Sequence, residues 1–406
     1  MAEVEARALT REPAHHFFGY YDKFPWDSSG RYVLGMQVSF MDRPPWGQDA
    51  VTIGMVDTAE ENAWQPLAET TAWCWQQGTM LQWLGSAPDR LVVFNTRQAD
   101  GYASTVLDVH SGERRSLSRP VYAVSGNGKW AVSVNFARLG VTRPGYGYNG
   151  IADPWEDELA PADDGIYWMD LESGEHRLIV SLAQIVATRP QESMAGAKHW
   201  FNHLQFNTDD SRFLFLHRWT DADGRRHTRL FTSDPDGGHV HCVNDHDMTS
   251  HFDWRNPTHI LAWARQHEIG DRYFLFEDRD VSQAESGRAG QGEGDDIGTA
   301  TAIPGVRVIG EDVFDKDGHC SFSPDGQWML TDTYPDAESM RTLILYHLKS
   351  GQRVDVGRYY AIPEITGEFR CDLHPRWSRD GRYICFDSVH EGTRQIYVMD
   401  VGDVVG

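Results

Sequence analysis

The sequence is short of positive charge: 37 Lys and Arg stand against 60 Asp and Glu, a net charge of −23. Phosphate backbones are bound through clustered Lys and Arg, so this balance argues against nucleic acid as a partner. It argues equally against an anionic membrane surface. A small acidic substrate is still allowed, because local Arg, Lys or a metal ion attracts it whatever the total charge. No apolar run approaches the roughly 18 residues of a membrane-spanning helix. The N-terminal Met-Ala-Glu-Val-Glu-Ala-Arg has no basic segment followed by an apolar stretch, so no signal peptide is expected. Cysteine is scarce: Cys74, Cys242, Cys320, Cys371 and Cys385 are an odd set without the spacing of a disulfide framework. Reduced thiols in a cytoplasmic protein are expected. A long 3.6-period apolar pattern is missing too, so no helical architecture competes.

What is present is aromatic and glycine-rich: 15 Trp, 15 Tyr, 18 Phe and 38 Gly, a composition suited to pleated sheets joined by many turns. One unit recurs. Trp377-Ser378-Arg379-Asp380-Gly381-Arg382 reads as a strand end, a tight Asp-Gly turn and the next strand. Phe322-Ser323-Pro324-Asp325-Gly326 and Phe206-Asn207-Thr208-Asp209-Asp210 repeat it, and Trp26-Asp27-Ser28-Ser29-Gly30 opens the series. A later strand leads into a Ser-Gly turn at Ser111-Gly112, Ser173-Gly174 and Ser350-Gly351, after Asp108 and Asp170 in the first two. Seven copies at a spacing of about 40–65 residues, each with several short strands, predict an all-β, seven-bladed β-propeller in a single domain. The blades start near 22, 80, 121, 203, 251, 319 and 374. Residues 1–14 read as a polar lead-in, and pairing of the N-terminal segment with the last blade would close the ring and cover its edges. An insertion over about 139–164, rich in Gly, Pro and Tyr, interrupts the third copy. Residues 281–303 have little to bury and read as a mobile loop.

Histidine sits three residues before the aromatic in four copies: His203, His251, His319 and His374. In the first copy that position is Lys23. The first strand of a propeller blade lines the central channel, so these histidines are expected to converge at one mouth. Asp372 lies two residues from His374 on a strand, where both side chains share a face. Two or three imidazoles with a carboxylate suit Mn²⁺, Zn²⁺ or a similar divalent ion. Cys320 and Cys371 then point into the blades as core thiols, and Cys242 and Cys385 read as packing. Tyr20, Tyr21, Lys23, Gln76, Gln77, Lys198, His199 and Arg370 are further polar groups expected at that mouth. Arg218 and Arg229 belong to the blade begun by His203, and Arg grips a carboxylate through a planar fork. His239, His241 and His246 read as a solvated loop cluster, and His15 and His16 are not placed by the pattern.

This motif spacing resembles that of the propeller-type polysaccharide lyases, most closely the oligogalacturonate lyases and more distantly the ulvan lyases. In the former, a histidine of one blade joins a Gln-x-x-His-x-His cluster of the last blade around Mn²⁺. The resemblance implies that His319 is the lone metal ligand, His374 the last histidine of the cluster and His251 the base. Arg229 or Arg218 is implied as the arginine that neutralises the uronate. Mn²⁺ is thereby expected ahead of Zn²⁺, and a small acidic oligosaccharide as substrate. Two positions depart from the family: Asp372 stands at the middle histidine and Phe369 at the glutamine. If His251 completes the metal set, then His203, His199 or Tyr21 is left as the base. Lys23, Gln77, His199, Arg218 and Arg370 are the expected substrate contacts. The implied chemistry is β-elimination, in which a bound carboxylate makes the uronate C5 proton removable.

Two other readings use the same scaffold. A glycoside hydrolase or another carbohydrate-active metal enzyme would need two carboxylates flanking the bond, and Asp22 and Asp372 are the candidates near the channel. A non-catalytic propeller of the TolB kind shares the Asp-Gly turns but has no need of four histidines in one phase.

Overall fold

In the computed structural model, residues 4–278 and 297–406 are described. Seven antiparallel sheets arranged in a ring form a seven-bladed β-propeller. The innermost strands, from blade 1 to blade 7, are His15–Phe17, Gln82–Trp83, Ala123–Val124, Lys198–Phe206, Thr249–Asn256, Ser321–Phe322 and Arg376–Trp377. Blades pack face to face, so middle strands are covered on both sides and lose the period-2 alternation. Phe213–Thr220 is buried at every position but its last. The repeated Asp-Gly turns close as their residues dictate. Asp380 accepts from the Ser378 hydroxyl and the Arg382 amide, and Gly381 takes φ +73°.

The ring closes through the N-terminal segment. Ala6–Ala8 pairs antiparallel with Gln395–Asp400, the third strand of blade 7. Of the expected polar lead-in over 1–14, the described part from residue 4 on is more than that, with Leu9 and Thr10 buried. His15 and His16 find their place on the innermost strand of blade 1, which begins ahead of residue 22. His16 Nδ1 lies 3.0 Å from Gln395 Oε1, a further tie across the closure. That strand is interrupted: pairing stops after Phe17 and resumes as a single bridge between Trp26 and Val33. The residues between leave the sheet and cross the channel.

Most of the loop expected over 281–303 lies outside the described residues. Its described end is ordered, since Thr299–Ala300 pairs with Val306–Ile309 as a fifth, edge strand of blade 5. The insertion at 139–164 opens within a short helix, Phe136–Thr142, capped by the Asn135 side chain. It is fastened by one buried residue. Arg138 pairs with Asp153 at 3.0 Å and donates to the carbonyls of Trp155, Glu158, Leu159 and His199. The five cysteines are free, and no helix among the described residues is long and apolar enough to cross a membrane.

Asp253, on the inner strand of blade 5, ties three blades together. Its carboxylate accepts from Gln205 Nε2 of blade 4 and from the Phe322 amide of blade 6, both at 2.8 Å. Burial in the channel outweighs these bonds and pushes its carboxyl up to about 7. The folded state therefore holds this proton between about pH 4 and pH 7 while the unfolded chain releases it. Its contribution to stability is full below about pH 4 and is lost as pH rises towards 7, about 1.4 kcal/mol per unit. Asp253→Asn should flatten this part of the pH dependence and stabilise the fold most at neutral pH. Urea midpoints of parent and variant at pH 5 and pH 7.5 check it; parallel shifts would exclude the effect.

Candidate functional site

The four phased histidines meet. At three inner-strand positions the backbone turns left-handed three residues before the repeat aromatic: Met80 (φ +55°), His203 (φ +54°) and His374 (φ +42°). The strand pairing slips around His203 and around His251. Such bulges bend a strand and re-aim one side chain out of the pleat, here into the channel mouth. Ring centroids lie 4.1 Å apart for His251 and His319, and 4.4 Å for His319 and His374. Tyr20 and Tyr21, from the segment that crosses the channel, form the floor. Tyr20 stacks on His203 at 4.8 Å and meets His374 edge-on at 5.0 Å. Arg376, buried with Asp387, fixes this segment by donating to the Gly19 carbonyl.

His319, Asp372 and His374 place one ligating atom each within 4.8 Å of one another, all buried. Asp332 lies 2.8 Å from His319 Nδ1, which sets that nitrogen as the donor and leaves Nε2 as the lone-pair atom. His319 Nε2 and His374 Nε2 are buried without a hydrogen-bond partner, while Asp372 Oδ1 faces Arg341 at 2.8 Å. Orphaned acceptors of this kind are costly unless something else engages them. Burial opposes ionisation of Asp372, but Arg370 and Arg341 outweigh it and hold its carboxyl well below the usual range. Burial keeps His374 neutral, with His319 adding to the effect. Two imidazoles and a carboxylate fit a divalent cation.

Beside this trio lies a cavity of about 480 Å³ whose walls carry Arg143, Arg218, Arg225, Arg226, His203, His251, Tyr146 and Tyr334. Arg218 is buried with Nε unpartnered. Burial, with Arg143 and Arg226 nearby, brings its guanidinium down to about 9. In a chain of strong negative charge, this cavity is locally cationic. His251 Nδ1 sits 2.9 Å from Asp317 Oδ1, so Nε2 carries the lone pair, and burial keeps the ring basicity below its usual value.

The structure places the remaining expected residues differently. Arg370 is at the site, donating to Asp372 at 2.7 Å, and its own carbonyl is held by Gln76. Gln77 supports the site from behind, paired with the Tyr122 hydroxyl that receives the His203 amide. Tyr21 spends its hydroxyl on the Phe252 backbone, accepting from its amide and donating to its carbonyl at 2.8 Å. Arg229 does not reach the cavity. Its guanidinium is wholly buried and donates to the carbonyls of Ile185, Thr188 and Arg189 at the end of a short helix. His199 is withdrawn as well, 2.9 Å from His217 and packed against Trp219. Lys23 pairs with Asp22 and lines a second cavity of about 410 Å³, walled in part by turn residues that follow the inner strands. Lys198 points outward to the Glu156 carbonyl. His239, His241 and His246 stay apart from the trio, His239 exposed and paired with Asp234. Cys320 and Cys371 are buried, and burial raises both thiols, Cys371 to about 11.

Sequence reasoning passed over Arg143, Arg226, Tyr146, Asp332, Asp317 and Arg341. The Arg225-Arg226 pair could have been found, since it follows the turn at the histidine end of blade 4. Asp332 carries no such signal, because it is set beside His319 by strand pairing. No family model matches the sequence, and the search of curated proteins returned no match. An oligogalacturonate lyase from Vibrio parahaemolyticus superposes with a TM-score of 0.64 at 13% identity, over 99% of this chain and 95% of that one. In fold, the chain is similar to oligogalacturonate lyases. An oligogalacturonate lyase in complex with manganese gives 0.62 at 14% identity, covering 98% of each chain. The β-propeller domain of the Trilobed protease from Pyrococcus furiosus gives 0.51 at 11%, over 93% of this chain and 94% of that one. At these identities the likeness shows the fold, and the chemistry rests on the site.

Proposed function

We propose that the protein is a metal-assisted lyase that cleaves uronic-acid-containing oligosaccharides by β-elimination. The observation that carries this reading is a buried His319–Asp372–His374 trio with two unpartnered imidazole nitrogens, beside a cavity in which Arg143, Arg218 and Arg226 have no ion pair among the described residues. A buried guanidinium without a carboxylate calls for an anionic ligand, and a uronate supplies one. Arg218, with Arg143 and Arg226, would grip that carboxylate, and His251 would remove the C5 proton, its tautomer set by Asp317. The electron pair then forms the C4–C5 double bond as the C4–oxygen bond breaks. His319, Asp372 and His374 would hold a divalent ion, which when bound supplies positive charge against the developing enolate. Mn²⁺ is preferred to Zn²⁺ on the likeness to the manganese complex. Free cysteines fit a cytoplasmic setting, where the substrates would be short oligosaccharides.

A hydrolase is less well served. Asp372 is committed to Arg341 and Arg370, and Asp22 to Lys23 in the other cavity; the two carboxylates that line the arginine cavity, Asp317 and Asp247, are engaged by His251 and His227. Ultraviolet absorbance with a panel of uronide oligosaccharides tests the lyase reading. The unsaturated product should accumulate with at least one substrate, stop on chelation and resume with Mn²⁺. A flat trace across the panel, with Mn²⁺ supplied, would sink it.

A further inference from the structure

The insertion in blade 3 carries a residue that the outline above leaves without work. Tyr146 stands between two glycines that leave its backbone little freedom. Gly145 adopts φ +89°, with Glu368 backbone only 3.3 Å from where a Cβ would be, and a Cβ on Gly147 would fall 2.0 Å from the Gly140 nitrogen. The Tyr146 amide donates to the Arg143 carbonyl, and the Gly145 carbonyl accepts from Gln76. The ring packs edge-on against His203 at 5.3 Å, with the Arg143 guanidinium 4.6 Å from its centroid. Arg370 Nη2 donates to the phenol oxygen at 2.8 Å. That bond occupies an acceptor position of the oxygen, and among the described residues no group accepts the Tyr146 hydroxyl proton in return. The residue lines the same cavity as His251 and Arg218.

We propose that Tyr146 is the acid of the reaction, giving its hydroxyl proton to the oxygen that leaves C4. The assignment rests on the elimination reading. As His251 takes the C5 proton, the C–H electron pair becomes the C4–C5 double bond. The C4–oxygen bond breaks with its pair on oxygen, and the proton from Tyr146 neutralises that oxygen. The phenolate left behind faces Arg370 and Arg143, and the proton on His251 returns through solvent. Burial alone would make the phenol a weaker acid, but Arg370 and Arg143 outweigh it and lower its pKa from the usual value, although Asp372 opposes them. A leaving sugar alkoxide needs such a donor, whereas a fluoride does not.

The test compares full-length parent, Tyr146→Phe and His251→Ala, all with Mn²⁺ supplied, on two substrates. One is a uronide oligosaccharide, and the other a uronide bearing fluorine at C4. Tyr146→Phe should lose about a hundred-fold in kcat on the oligosaccharide and less than about three-fold on the fluoride, while His251→Ala loses both. Retained fluoride release also shows that the variant is folded. Equal losses of Tyr146→Phe on both substrates, or full activity on the oligosaccharide, would overturn the assignment. A parent inactive on both substrates removes the elimination reading, and this assignment with it.

Discussion

His319→Ala and His374→Ala are expected to lose the bound metal, whereas His251→Ala keeps it and loses turnover by about a thousand-fold. The separation follows from where each ring points. His319 and His374 present buried Nε2 atoms with no protein partner, and a carboxylate oxygen of Asp372 joins them within 4.8 Å. His251 packs against His319 but lines the arginine cavity, with its Nδ1 on Asp317. Metal content after dialysis against Mn²⁺-containing and then Mn²⁺-free buffer reads the first effect, and product formation the second. Asp332→Asn makes an intermediate case. The amide no longer fixes the His319 tautomer, so metal affinity should fall by about ten- to a hundred-fold with ligands intact. Equal metal content in parent, His319→Ala, His374→Ala and His251→Ala would remove the trio as a metal site.

Replacing Arg218 by Met should make the protein more stable and nearly inactive. The side chain is buried, its Nε has no partner, and Arg143 and Arg226 add their repulsion. An uncompensated buried cation costs the folded state energy, and an apolar residue of similar length relieves it by about 2 kcal/mol. On the proposed function the same change would remove a grip on the uronate, so kcat/KM should fall by at least about a hundred-fold. Thermal unfolding and elimination assays on one preparation read both effects. A lower Tm with activity retained would show that Arg218 is a packing residue and the cavity's charge incidental. Opposed changes in stability and activity are what a preorganised binding site predicts.

The propeller was legible because its rules are local. An Asp-Gly turn, an aromatic strand end and an Asp before a Ser-Gly turn each act over a few residues, and each recurs along the chain. The phase of His203, His251, His319 and His374 was legible for the same reason, since equal positions in a repeat become neighbours around the channel. Asp372 was within reach because strand periodicity carries two residues to one face. Other expectations missed for the opposite reason. Arg229 and Arg218 lie on facing strands of one blade, close in register, and nothing in their neighbours tells which enters the cavity. The carbonyls at the end of the helix Leu182–Ala187 take Arg229, while Arg218 is left facing the channel mouth. Lys23 shares the histidine phase, yet the interruption in blade 1 sends Tyr20 and Tyr21 across the channel and puts Lys23 beyond them.

By itself, then, the sequence determined the seven-bladed ring, its closure through the N-terminal segment and the convergence of four histidines. All of these follow from short-range turn chemistry repeated in phase. Which histidines pair with which carboxylates, which arginines are left without counter-charge and where the blade 3 insertion sets Tyr146 were decided only in three dimensions. Those relations join residues far apart in the chain: Arg370 with Tyr146, Asp317 with His251 and Arg341 with Asp372. Packing of one blade against the next sets such contacts, and no local pattern in the chain encodes them.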